Sequence, residues 1–208
     1  MSKANEKKQN RKAPRQERSL ATVEAISEAT CQVIDELGVA QFHLFSTTRV
    51  AQKAGVSIGT LYQYFPSKEA LLAEAVDYRY RIDLRHAIDV LANSKNLTAP
   101  TIIKNIVKEI GLKSFCAKKN LYHVLSVNAA NIVRPETASE MREAGVRFIH
   151  EILENRKSDL KVSNTRYAAF FIIQTLLDMR RAMFVSRPEY IQDPEFVEML
   201  SDFASAFL

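Results

Sequence analysis

Residues 46–72 read S-T-T-R-V-A-Q-K-A-G-V-S-I-G-T-L-Y-Q-Y-F-P-S-K-E-A-L-L, and this stretch decides the fold. Ser46 is of the N-cap type and opens a short helix, Thr47 to Ala54, which Gly55 closes. Ser57 caps a second short helix, Ile58 to Tyr64. Pro66 breaks it, and Ser67 caps the next helix, with Glu69 in its first turn. The two short helices meet at Ala54-Gly55-Val56-Ser57, where Gly55 is free to take φ > 0. Val50, Ala51 and Ala54 can face Leu61 and Phe65 across the corner, and Ala51 is small where the helices cross closely. That is the pattern of a helix-turn-helix unit. Leu61 and Phe65 read as core. Thr60, Tyr62, Gln63 and Tyr64 give the second helix uncharged hydrogen-bonding side chains suited to a major groove. Gln63 can contact adenine through two hydrogen bonds.

Charge outside the motif points the same way. The chain has 208 residues and a formal net charge of +5. Residues 1–18 hold seven basic residues against two acidic ones, so the excess lies in this tail. From Leu37 to Lys68 there is no Asp or Glu, while Arg49, Lys53 and Lys68 are present. A basic tail beside an acid-free segment suits a polyanion.

Working outward, the chain reads as all-α with about nine helices. Hydrophobic residues make up 47% and charged residues 25%, which describes a folded globular chain. Five Gly and six Pro are too few for an all-β protein of many tight turns. Residues 1–14 lack apolar periodicity and are expected to be disordered. A first helix runs from Arg15 to Leu37, with Gly38 beyond its end. The helix from Ser67 to about Ala92 contains no Gly or Pro and would be roughly 39 Å long. Further helices are expected from Thr98, over Leu121 to Val133, from Glu136 to about Arg156, from Ser163 or Asn164 to Ser186, and from Asp193-Pro194-Glu195 onward.

The run Ala51 to Lys68, A-x-x-A-G-V-S-x-G-T-L-Y-x-Y-F-x-S-K, resembles the TetR family of bacterial transcription regulators. The resemblance covers roughly residues 16–75. It implies a DNA-binding domain over 15–75, with the helix-turn-helix at about 46–65, and a ligand-binding and dimerisation domain over 76–208. It also implies a homodimer. By position, the DNA-binding set is Thr47, Thr48, Ser57, Ile58, Gly59, Thr60, Tyr62, Gln63, Tyr64 and Lys68. Thr47 stands at a phosphate contact and Lys68 at a backbone contact. Ile58 departs from the Lys, Arg or Pro frequent in the family, and a thymine methyl is the contact open to it.

The segment Tyr167 to Phe184 is apolar nearly all round, as expected of a helix covered on every side. Ala168, Phe171, Phe196, Leu200 and Phe203 are the candidate dimer interface. His86, Phe115, Tyr122, His123, Phe148, Phe170 and Gln174 are the pocket candidates, and Gln174 and Asp178 can also simply pair with each other. Eleven Phe and seven Tyr suggest a small apolar or aromatic effector.

No G-x-G-x-x-G, G-x-S-x-G, P-loop or H-E-x-x-H occurs, so the chain does not read as an enzyme. No two of His43, His86, His123 and His150 have i, i+4 spacing, and no metal or cofactor is expected. Cys31 and Cys116 read as reduced core thiols of a cytoplasmic protein, and no membrane span is expected. The expected function is a ligand-responsive repressor that binds a near-palindromic operator in double-stranded DNA. The alternative is an all-helical adaptor that binds a protein partner and uses DNA as a platform.

Overall fold

Caps and glycines set the helix ends along the chain. The structure, a computed structural model, describes residues 3–128, 132, 135–187, 189–190 and 193–208, with side chains described from Arg18 onward. Nine α-helices and no strand lie among the described residues. They are α1 (Lys3–Gln41), α2 (Thr47–Ala54), α3 (Ile58–Tyr64), α4 (Lys68–Ala92), α5 (Ala99–Ile110), α6 (Lys119–Val127), α7 (Pro135–Glu154), α8 (Thr165–Ser186) and α9 (Pro194–Ala206). Disorder is expected over residues 1–14, yet α1 begins within them, at Lys3. Of the helix expected to reach Val133, residues 129–131 and 133 lie outside the described residues.

Gly38 interrupts α1 with φ 58° and ψ −171°, a left-handed φ that favours glycine. A short 3-10 turn, Phe42–Leu44, then leads to α2. The side chains of Ser46, Ser57, Ser67, Asn164 and Asp193 each accept a backbone N–H in the first turn that follows. Thr98 sits at the start of α5 without such a bond, and its hydroxyl pairs with that of Thr101 at 2.9 Å.

The chain forms two units, residues 1–78 and 79–208, so α4 contributes residues to both. In the first unit, Ile26, Ile34, Val50, Leu61 and Leu71 are completely buried. Burying each aliphatic side chain contributes about 1.5–3 kcal/mol. Two hydroxyls of α1 also lie in this core, and both are satisfied. Thr30 donates to the Ile26 carbonyl at 2.7 Å. Ser27 lies 2.8 Å from both the Val23 carbonyl and Glu74 of α4.

In the second unit, α5 packs on α9 and α7 packs on α8. Ile102, Ile103, Leu153, Ala169 and Ile172 form the centre. A Cβ at Gly111 would lie 2.6 Å from Cγ1 of Val197, so glycine is required where this turn meets α9. Gly111 also opens a π-helical segment, Gly111–Cys116, that periodicity does not reveal. Beyond it Tyr122, Phe115 and Phe184 make an aromatic cluster, with Phe115 edge-on to Tyr122 at 4.8 Å between ring centroids. No helix among the described residues is long and apolar enough to cross a membrane.

Candidate nucleic-acid interface

The corner between α2 and α3 is held by its backbone. Gly55 adopts φ 67° and ψ 28°. Its N–H bonds the Gln52 carbonyl at 3.2 Å, and the Val56 N–H bonds that of Ala51 at 3.0 Å. This pair of bonds is the Schellman motif, which satisfies carbonyls that the end of α2 would otherwise leave free. Val50 and Leu61 are fully buried, and Ala51 and Phe65 nearly so. With that side of α3 turned to the core, Gly59, Tyr62 and Gln63 form a solvent face at i, i+3, i+4 spacing.

Each candidate DNA contact has a definite place. Thr48, Ser57, Ile58, Gly59, Tyr62 and Gln63 are exposed, and Thr47, Thr60, Tyr64 and Lys68 are half-buried. Tyr62 and Thr47 join their hydroxyls at 3.1 Å, which ties the start of α2 to α3. Thr60 pairs with Ser57 at the head of α3. Tyr64 is turned the other way, with its hydroxyl accepting a hydrogen bond from Ser19 of α1 at 3.2 Å. That geometry makes Tyr64 a brace between α3 and α1, whereas Tyr62 and Gln63 face solvent.

The cations differ among themselves. Lys53 pairs with Glu36 of α1, so the segment's lack of acids does not leave every cation unpaired. Lys68 places its ammonium over the rings of Phe42 and Phe45, 5.8 and 5.4 Å from their centroids. Such contacts orient a cation without neutralising it. Sequence reasoning did not identify this aromatic seat, because the two rings come from the loop before α2. In the next residue, Glu69, a backbone N–H and the Ser67 hydroxyl hold the carboxyl below its ordinary range. An acid in that first turn also complements the helix dipole.

The second unit holds an apolar cavity of about 190 Å³. Among the seven pocket candidates, Phe115 and Phe148 line it. His86, Tyr122, His123, Phe170 and Gln174 lie outside the lining. Phe170 is exposed on α8, and Gln174 donates to Asp178 at 2.7 Å. Tyr122 is buried one layer behind Asp83, which does line the cavity, and bonds both carboxylate oxygens at 2.7 and 2.6 Å. Ser114 donates to Asp83 at 2.5 Å, and Arg79 pairs with it at 3.3 Å. Burial, followed by the Asp83 charge, raises the Tyr122 pKa, so the phenol remains a donor. The polar lining residues Tyr80, Asp83 and Arg180 escaped the sequence reading, having no local signature.

The candidate dimer residues divide by exposure. Ala168 is buried, Phe196 and Leu200 are half-buried, and Phe171 and Phe203 are about half exposed, at 51% and 49%. With Tyr167, Phe170 and Met199 they leave exposed apolar surface on α8 and α9.

Residues 26–75 match the family described as bacterial regulatory proteins, tetR family. No curated protein sequence matches the chain. Among solved structures, the chain resembles the fatty acid degradation regulator FadR from Bacillus halodurans, with a TM-score of 0.66 at 21% identity, covering 88% of this chain and 94% of that one. FadR from Bacillus subtilis, in complex with stearoyl-CoA, gives a TM-score of 0.67 at 18% identity over 88% of this chain and 98% of that one. Thermus thermophilus FadR, a repressor in complex with lauroyl-CoA, gives 0.62 at 19% identity over 88% and 92%. Residues 26–75 therefore carry the signature of the tetR family of bacterial regulatory proteins, and the structural likenesses extend the same all-helical fold over most of the chain.

Proposed function

We propose that this chain is a ligand-responsive repressor that binds a near-palindromic operator as a homodimer. The observation that carries the reading is the exposed face of α3, where Tyr62 and Gln63 stand beside a segment without acidic residues. In this reading α3 enters the major groove, and Gln63 reads adenine. Thr47, Thr48, Ser57, Thr60 and Lys68 engage the backbone, Ile58 and Gly59 approach the groove, and Tyr64 positions α3 from behind.

The exposed apolar surface of α8 and α9 supports a two-fold dimer through Phe171 and Phe203. Two recognition helices would then meet successive major grooves, about 34–36 Å apart. The acyl-CoA complexes of the two similar regulators support an effector site in the larger unit. In this reading α4 links that site to the DNA, with Lys68 at its start and Asp83 further along the same helix. An effector acts through its difference in affinity for two dimer shapes. A cytoplasmic location follows from this role.

Selection of bound duplexes from a random pool tests the proposal. The expected result is a motif with two-fold related halves about one DNA turn apart. Enrichment of no motif would overturn it.

A further inference from the structure

The cavity of the second unit has a lopsided charge balance. Its wall is almost wholly aliphatic and aromatic, including Ile103, Ile106, Phe115, Phe148 and Ile172. Two formal charges interrupt it, Asp83 and Arg180. Asp83 is answered, since Arg79, Ser114 and Tyr122 all contact its carboxylate. Arg180 is not. Its guanidinium lies 5.8 Å from the Phe115 ring centroid, and its Nε is buried with no hydrogen-bond partner. Among the residues whose side chains are described, no carboxylate pairs with it.

A buried N–H without an acceptor costs about 1–3 kcal/mol, more when the group is charged. An aromatic face offsets part of that cost and supplies no acceptor. A guanidinium in an apolar wall therefore selects for a planar anion able to accept two parallel hydrogen bonds. Volume limits the rest of the molecule. An apolar cavity of about 150 Å³ takes benzene. About 190 Å³ thus suits a body somewhat larger than benzene.

We propose that this cavity binds a small apolar carboxylic acid, of about the size of benzoate or octanoate, with its carboxylate on Arg180. This rests on the reading of the second unit as the effector-binding part and specifies the effector's class. The ring or chain fills the space between Phe115, Phe148 and Ile172. The same π-helical segment holds Phe115 in the wall and Ser114 on Asp83 of α4, so pressure on the ring reaches α4 through one peptide bond.

The test uses the full chain and two matched pairs of probes, benzoate with benzyl alcohol and octanoate with octanol, titrated by calorimetry. Each acid should bind about tenfold or more tightly than its alcohol. Arg180→Met should bring the acids down to the affinity of the alcohols and leave the alcohols unchanged. Arg180→Lys should keep part of the preference. Equal binding of acid and alcohol by the unmodified chain, no binding of either pair, or a preference that survives Arg180→Met would each overturn the proposal. Should Arg180→Met fail to fold by circular dichroism, the comparison in the unmodified chain decides. Release of a selected DNA by the alcohols alone would sink the acid class and leave the regulator intact. A pool without any motif would sink the regulator whatever the acids do.

Discussion

The hydroxyls of Thr47 and Tyr62 lie 3.1 Å apart, joining the first residue of α2 to the exposed face of α3. The bond directs the phenol along the surface proposed to face DNA, so both oxygens can meet one phosphate. Tyr62→Phe should therefore weaken binding to every duplex by about 1 kcal/mol, or about fivefold, in fluorescence anisotropy. Tyr62 is 47% exposed, and its loss should leave stability within about 0.5 kcal/mol. Unchanged affinity would reduce the pair to a surface contact.

Lys68→Ala should also weaken all sequences alike, with a different signature. Removing one phosphate-facing cation should lower the slope of log affinity against log salt by about one unit. The aromatic seat of Phe42 and Phe45 predicts that Phe45→Leu loosens Lys68 and loses part of the same affinity. A full salt slope in Lys68→Ala would remove this residue from the contact set.

Phe171→Asp and Phe203→Asp should give monomers in light scattering. Both side chains are about half exposed in the single chain, so a charge there is tolerated by the monomer but is buried and unpaired in the proposed interface. A monomeric unmodified chain at micromolar concentration would count against the dimer.

Tyr122→Phe should cost about 1–3 kcal/mol in urea unfolding at neutral pH, since Asp83 loses a buried donor. Burial and the Asp83 charge raise the Tyr122 pKa above the ordinary 10.0. Its contribution is complete below about pH 10 and is lost as pH rises beyond that. The unmodified chain should therefore lose more stability in this alkaline range than the variant, and parallel curves would contradict the assignment.

The first unit was legible because its signals are local. Ser46, Gly55, Ser57 and Ser67 each fix a helix end through bonds to neighbours in sequence, and Gly38 takes the left-handed φ its position called for. Tyr64 shows the limit of local reading. Its type and register suit the groove, but Ser19, 45 residues away in sequence, turns its hydroxyl toward α1. The cavity was less legible for the same physical reason. Which face of α8 looks inward depends on α6 and α7, so Phe170 and Gln174 lie outside the lining while Ile172, Ile173 and Arg180 line it. The π-helical turn at Gly111–Cys116 shifts register where a 3.6-residue period would mislead.

The central claim is that α3 reads bases through Gln63, its exposed amide. The most direct measurement is random-pool selection with the unmodified chain and with Gln63→Ala in parallel. A two-fold motif is expected for the first. The second should select the same motif with preference relaxed by about 1–3 kcal/mol at one adenine-bearing position in each half-site. An identical motif from both proteins would contradict it.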